Sequence, residues 1–241
     1  MDSFAQFLQD VGDTGHQLDA HKIGAFGRYR DEIRRVNTVF GLISRNDMDR
    51  IPSRHFLDSL MPVLKGILPT DGTILDIGSG GGFPGIPLAI LLPDTDFVLV
   101  ESNRRKSTFL RKMRRVLVLN NVTVEHTRAE SLLEPEKLYD GAVARAVASI
   151  GQLVTWCGPV LKPEGKLICY KGPMPEEETK SARAAMAAQG MVVDGIHRYD
   201  ADAPRSPTLV VLRKHSLSGS GPAGCAPHEE KQASNRPENH R

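Results

Sequence analysis

A glycine-rich segment, ILDIGSGGGFPGIPLAI at residues 74–90, constrains the fold of this chain more than any other feature. An apolar run that contains Asp76 predicts a buried strand, and the five glycines of residues 78–85 predict a sharp turn. The apolar residues from Ile86 onward predict a helix. A strand, a glycine turn and a helix in this order are typical of α/β domains whose backbone closely approaches a bound nucleotide.

Five further apolar or β-branched runs follow this segment. They are FVLV at 97–100, VTVE at 122–125, GAVARA at 141–146, KLICY at 166–170 and TLVVL at 208–212. Helix-length stretches at 104–119, 150–156 and 176–189 separate them, which predicts a mainly parallel sheet covered by helices on both faces. The last two apolar stretches, 191–199 and 206–214, have no helix between them, so they predict an antiparallel pair at a sheet edge.

The two ends of the chain differ from this central region. Apolar residues recur at helical spacing over 18–40 and 47–64, so we expect residues 1–70 to form a helical cap on a sheet domain of residues 71–214. Beyond Lys214 the chain has three Gly, three Pro and no Ile, Val or aromatic residue. This composition predicts that residues 215–241 form a disordered tail.

Composition excludes several classes of protein. The 241 residues are 40% hydrophobic and 25% charged, with no run of 18 apolar residues and with acids in the N-terminal segment MDSFAQFLQD. We therefore expect a cytoplasmic protein without a membrane span or export signal. Cys157, Cys169 and Cys225 lack C-x-x-C spacing, so we expect reduced thiols and no metal site.

The glycine turn is compatible with two kinds of nucleotide. Gly80, Gly82 and Gly85 satisfy G-x-G-x-x-G, and Glu101 lies where a dinucleotide site places its ribose-binding acid, so a nicotinamide-dependent oxidoreductase is a serious alternative. However, Asp76 beside the turn disfavours a pyrophosphate and favours a cationic ligand. S-adenosylmethionine has an ammonium, a sulfonium and no phosphate, and Glu101 could bind its ribose diol.

A third acid follows the next strand. Ala129 and Glu130 come after VTVE, where a loop of an open α/β sheet faces the same crevice. Asp76, Glu101 and Glu130 would then contact the methionine, the ribose and the base in turn. Glu101 and Glu130 can also be ordinary acids at helix N-termini.

These residues resemble one family, the 16S ribosomal RNA guanine-N7 methyltransferases, also called glucose-inhibited division protein B. The resemblance covers about residues 5–214. It rests on RHFLDSL at 54–60, DIGSGGGFPGIPLAI at 76–90, ESNRRKSTFLR at 101–111, AE at 129–130, RAVAS at 145–149 and LICYKGPMP at 167–175. The chain departs from the family at Gly80–Gly82, where other members often have a proline between glycines.

The resemblance implies a doubly wound, Rossmann-like class I methyltransferase sheet. The expected reaction is methyl transfer from S-adenosylmethionine to guanine N7, at guanine 527 of 16S rRNA. Gly78 and Phe83 would line the cofactor pocket, Ala129 and Glu130 would bind near the adenosine, and Arg145 would complete the site, although Arg145 could also form a structural ion pair. Guanine N7 has an exposed lone pair, so no catalytic base is expected, and alignment of the reactants would accelerate transfer.

A basic segment offers a surface for RNA. Seven bases and no acid lie between Asn103 and Arg115, on a chain whose net charge is only +2. They are Arg104, Arg105, Lys106, Arg111, Lys112, Arg114 and Arg115. This pattern predicts phosphate binding, although it also fits a solvated helix face. His55 is interpreted as structural.

The expected partner is 16S rRNA or the small ribosomal subunit, bound by a monomer that contacts neither DNA nor membrane. Two further alternatives remain at this point. One is a non-catalytic RNA-binding assembly factor that keeps the pocket, and the other is a methyltransferase that acts on a small molecule or a protein.

Overall fold

The computed structural model describes residues 3–131, 137–199 and 207–215 and contains a seven-stranded sheet. The strands are β1 Thr73–Ile77, β2 Asp96–Val100, β3 Val122–Glu125, β4 Tyr139–Arg145, β5 Leu161–Lys171, β6 Met191–Arg198 and β7 Thr208–Lys214. Their order is β3-β2-β1-β4-β5-β7-β6. Strands β1 to β5 pair in parallel, which confirms the predicted doubly wound sheet. The predicted antiparallel pair is also confirmed, and β7 lies between β5 and β6, antiparallel to both.

Eight α-helices accompany the sheet in the described ranges. They are α1 Ser3–Asp13, α2 Ala20–Asn37, α3 Leu57–Leu64, α4 Gly85–Leu91, α5 Arg104–Val116, α6 Ile150–Cys157, α7 Glu176–Ser181 and α8 Arg183–Ala188. The single helix predicted for 176–189 is thus two helices, which meet at Ala182. The predicted tail, from residue 216 on, and Cys225 lie outside the described residues.

The prediction of one helix over 47–64 is wrong in detail. A 3₁₀ turn at Arg45–Arg50 and a π-helical turn at Ile51–Phe56 precede α3. Pro52 stands in the first turn of the π-helical segment, where its missing amide hydrogen is tolerated. The segment stays helical and carries Arg54, His55 and Asp58 toward the sheet.

The sheet has a different core on each face, because neighbouring residues of a strand point in opposite directions. Ile74 of β1 belongs to a cluster that includes the buried side chains of α1, α2 and α3, so the helical cap shares a core with this face. Leu75 and Ile77 belong to the other cluster, with α6. Burial raises the pKa of the Cys169 thiol to about 12 within this second cluster. The described helices are all too short or too polar to cross a bilayer.

Candidate active site

The glycine turn crosses the carboxyl end of β1 and leads into α4. Its backbone is held by the Ser79 amide, which donates to the Val100 carbonyl at 3.0 Å, and by the Gly82 amide, which donates to the Ser79 carbonyl at 2.7 Å. Gly78, Gly80 and Gly82 have φ of +66°, +57° and +99°. Glycine adopts these left-handed conformations without the steric cost that a side chain would add, which explains the composition of the turn.

Asp76 lies fully buried beneath the turn. Its Oδ2 accepts a hydrogen bond from the Gly85 amide at 3.1 Å, at the start of α4, whereas Oδ1 is buried without a partner among the described residues. Burial raises the pKa of Asp76 to about 7, and the hydrogen bond from the Gly85 amide only partly opposes this. The site therefore holds a carboxyl group with one oxygen unsatisfied, a feature that is rare in folded proteins.

The raised pKa of Asp76 predicts a specific dependence of stability on pH. The folded protein binds this proton more tightly than the unfolded chain, so the stabilisation is complete below the unfolded pKa of 3.8 and is lost as the pH rises through 7. Asp76→Asn keeps an oxygen for the Gly85 amide but cannot ionise. Relative to this variant, the wild type should lose a few kcal/mol of unfolding free energy between pH 4.5 and 8, since one pKa unit equals about 1.4 kcal/mol.

Urea unfolding of both proteins across this pH range would measure the effect. Asp58, whose pKa burial raises to about 6, is present in both proteins and therefore drops out of the difference. A difference in unfolding free energy that stays constant with pH would contradict the assignment.

Glu101 holds the turn from the neighbouring strand. One carboxylate oxygen accepts from the Gly80 amide at 2.8 Å, and the other accepts from the Asn103 amide at 2.6 Å. The residue is 7% exposed. A carboxylate has about four acceptor positions, so these two bonds leave capacity for a ligand's hydroxyl groups.

The third predicted acid is less enclosed. Ala129 and Glu130 lie in a 3₁₀ turn after β3, where Ala129 packs against the core and Glu130 is exposed. Because β1, β2 and β3 are parallel neighbours, the segments that follow them lie at the same edge of the sheet. Asp76 and Glu101 thus converge on the glycine turn, and Glu130 stands farther along this edge at the surface.

The helical cap covers the other side of the turn. The Tyr29 hydroxyl donates to the Gly81 carbonyl at 2.6 Å, and its ring stacks on Phe56. Phe83, which is 8% exposed, packs against Tyr29 and against the ring of His55, with centroids 5.6 and 4.9 Å apart. Tyr29 was not among the predicted site residues, because nothing in its helical periodicity indicates a bond to a residue 52 positions away.

A cavity of about 1060 Å³ opens between the cap and the ends of β4 and β5. Arg145, at the end of β4, lines it and binds the cap through Asp58, with Nη2 3.1 Å from Oδ2. Arg145 also donates to the Arg54 carbonyl at 3.1 Å. Val147 belongs to the cavity wall, and its Cγ2 lies 2.6 Å from the position where a Cβ on Gly78 would stand, so the cavity adjoins the glycine turn.

His55 also borders the cavity. Burial, together with the nearby charge of Arg145, lowers the pKa of its ring to about 4. Its buried Nε2 has no hydrogen-bond partner in the described chain. A ring that is neutral at pH 7 and packed on Phe83 agrees with the structural interpretation of His55.

Helix α5 presents the basic segment to solvent. Arg104, Arg105, Arg111, Arg114 and Arg115 are exposed and form no ion pair within the described ranges, and Lys106 is partly exposed. Lys112 differs, because its ammonium pairs with Glu32 of the cap at 2.6 Å. The opposite face of the helix is buried and includes the apolar residues Phe109, Leu110 and Met113.

The solved structures with a similar fold belong to proteins that are named for different reactions. A putative sarcosine dimethylglycine methyltransferase from Galdieria sulphuraria aligns with a TM-score of 0.57 at 13% identity, over 78% of this chain and 98% of that one. The [4+2]-cyclase SpnF aligns with a TM-score of 0.54 at 15% identity, over 66% and 81% of the two chains. The fold alone therefore does not determine the activity.

The relatives found by sequence indicate the activity more specifically than the structures with a similar fold. Ribosomal RNA small subunit methyltransferase G of Roseiflexus sp. (strain RS-1) is 40% identical over 204 residues, which are 83% of this chain and 86% of the relative. The protein of that name from Cronobacter sakazakii is 32% identical over 204 residues, 84% and 94% of the two chains. The GidB family, described as rRNA small subunit methyltransferase G, matches residues 22–206. The chain belongs to this family of ribosomal RNA methyltransferases.

Proposed function

We propose that this protein transfers a methyl group from S-adenosylmethionine to N7 of a guanine in 16S rRNA, with guanine 527 as the expected position. One observation carries the proposal beyond the family: the glycine turn with its two buried carboxyl groups adjoins a cavity large enough for a nucleotide base. The protein would act in the cytoplasm on 16S rRNA or the small subunit.

The residues at the glycine turn fit S-adenosylmethionine. Oδ1 of Asp76, which has no partner in the described chain, could accept a hydrogen bond from the ligand's ammonium group, and Glu101 retains acceptor positions for the ribose hydroxyls. Gly78, Gly80 and Phe83 would shape the turn around the cofactor, and Ala129 and Glu130 would lie toward the adenine. A pyrophosphate fits poorly, because the Asp76 carboxyl group already occupies the first amide of α4.

The proposed reaction requires mainly that the protein align the two reactants. When bound, the cofactor would supply an electrophilic methyl group on a sulfonium. The N7–methyl bond would form from the lone pair of guanine N7, which is free at neutral pH, as the sulfur–methyl bond breaks and leaves a neutral thioether. The side chains therefore need to hold the base in line with the methyl group and to exclude water. Good orientation of two reactants can lower a barrier by roughly 7 to 11 kcal/mol.

Arginine-to-alanine changes on α5 would test the RNA-binding face. We expect Arg111→Ala, Arg114→Ala and Arg115→Ala in combination to weaken binding to 16S rRNA and to reduce the slope of log affinity against log salt by about 2 to 3, since each lost phosphate contact reduces it by about 0.7 to 0.9. Filter binding from 50 to 300 mM salt would measure this, with cofactor affinity as the check on folding. An unchanged slope would contradict RNA binding by this face.

The proposed reaction is tested by incubating the purified protein with S-adenosylmethionine and small subunits that lack the modification. Nuclease digestion and mass spectrometry should find 7-methylguanosine in one fragment of 16S rRNA. Methylation of another position, or of protein only, would overturn the proposal. Stabilisation against heat by NADH and not by S-adenosylmethionine would instead favour the oxidoreductase.

A further inference from the structure

We propose that the cavity between the cap and the ends of β4 and β5 binds the target guanine, and that Asp58, held by Arg145, recognises the N1–H and N2 amino groups of the base. This inference rests on the proposed function and names the substrate subsite within it. It gives Arg145, which the family resemblance placed at the cofactor, a positioning role at the base as well.

The position of the cavity suits an acceptor. It lies beyond the carboxyl ends of β4 and β5, where α/β sheets bind ligands, and Val147 separates it from Gly78 of the glycine turn. Its volume of about 1060 Å³ is ample for a nucleotide that has left its stack. A base in this cavity would lie beside the cofactor site, as methyl transfer requires.

The Asp58 carboxylate is well placed to accept from a ligand. Its Oδ2 accepts from Arg145, whereas its Oδ1 accepts no hydrogen bond from any described residue. The side chains of Arg145 and Asp58 are only 17% and 19% exposed. Burial raises the pKa of Asp58 to about 6, so the group carries a desolvation cost that paired donors from a ligand would offset.

The surrounding contacts hold the backbone that carries this carboxylate. The hydroxyl of Tyr199 donates to the Asp58 carbonyl at 3.2 Å, and the hydroxyl of Tyr170 donates to the Ser59 carbonyl at 2.7 Å. Both tyrosines also line the cavity. Asp47, which also lines the cavity, lies 3.4 Å from Arg54 and 3.7 Å from His55, so its charge is directed toward these two side chains.

Guanine matches this arrangement better than the other bases. Its N1–H and N2 amino group are adjacent donors that one carboxylate can accept together, whereas adenine has an acceptor at N1 and no amino group at C2. These donors lie on the edge of the purine opposite N7, so recognition would leave the attacked nitrogen free. A buried acceptor that loses a donor is left unsatisfied, which is a strong source of selectivity.

Inosine, which lacks only the N2 amino group, tests the proposal directly. Small subunits would be reconstituted with ligated 16S rRNA that carries guanosine or inosine at the target position, and kcat/KM would be measured for each. We expect the wild type to lose roughly ten- to a hundredfold on inosine. Asp58→Asn should be slower on guanosine and nearly indifferent to the change of base.

Two comparisons distinguish a structural effect of Asp58→Asn from a loss of base recognition. Asp194→Asn removes a carboxylate that pairs with Arg213 on β7, away from the cavity, and should keep the wild-type preference for guanosine. If Asp58→Asn lowers both rates equally, Asp58 has only a structural role and the proposal is wrong.

The two rates of the wild type test the inference on their own, even if the variant fails to fold. Equal methylation of guanosine and inosine would overturn this inference and leave the proposed function intact. Absence of methylation on guanosine would instead refute the proposed function itself.

Discussion

Glu101→Gln should weaken the binding of S-adenosylmethionine by roughly 10- to 100-fold, since one or two charge-assisted hydrogen bonds are lost. In the wild type, the two carboxylate oxygens serve the amides of Gly80 and Asn103 at the same time. Glutamine has one oxygen for these two donors, and its amino group would face the second of them. The glycine turn would lose one anchor, and the ribose would lose an ionised acceptor.

Isothermal titration with S-adenosylmethionine would measure this effect. Glu177→Gln, a change of the same type at an exposed position on α7, should leave the affinity unaltered. If Glu101→Gln bound the cofactor as tightly as the wild type, Glu101 would be one more acid near a helix N-terminus, with no role in the ligand site.

Gly82→Ala should destabilise the protein by about 2 to 5 kcal/mol and abolish detectable cofactor binding. An added Cβ would lie 2.5 Å from the Tyr29 hydroxyl and 2.7 Å from Cγ1 of Ile86, and the residue has φ +99°. Both neighbours are fully buried, so neither can move away without disturbing the contact between the cap and the turn. The clash and the backbone strain therefore act together.

Gly27→Ala provides the matched control, because a Cβ there would meet nothing within 4 Å and the residue lies within α2. This variant should be neutral or up to about 1 kcal/mol more stable, since alanine favours helix. Urea unfolding followed by circular dichroism would compare the two variants. Equal stability of Gly82→Ala and the wild type would show that the turn has room for a side chain.

The sheet was predictable because its information is local. Each strand appears as a short apolar run, and each crossover appears as a helix-length stretch, so the alternation itself indicates a parallel sheet. The insertion of β7 between β5 and β6 was not predictable in the same way. The position of β7 depends on which strand edge remains free after β5 is placed, and no local sequence pattern indicates that edge.

The residues of the candidate site likewise fall into those that the sequence indicates and those that it does not. Asp76, Glu101 and the glycines could be found because they lie at or just beyond the ends of strands that must meet at one edge of the sheet. The bond from Tyr29 to Gly81 and the pair of Arg145 with Asp58 join residues 52 and 87 positions apart. Lys112 likewise forms an ion pair with Glu32, 80 residues away. The cap therefore neutralises one of the seven bases on α5. Such contacts arise only when the cap packs on the sheet.

The most direct test of the central claim is the mass of the nucleotide at guanine 527 in 16S rRNA from cells that lack this protein. The proposed function predicts that this guanine lacks one methyl group in the deletion strain. The wild-type gene should restore the methyl group, and the Gly82→Ala gene should not. A guanine 527 that remains methylated without the protein would contradict the account.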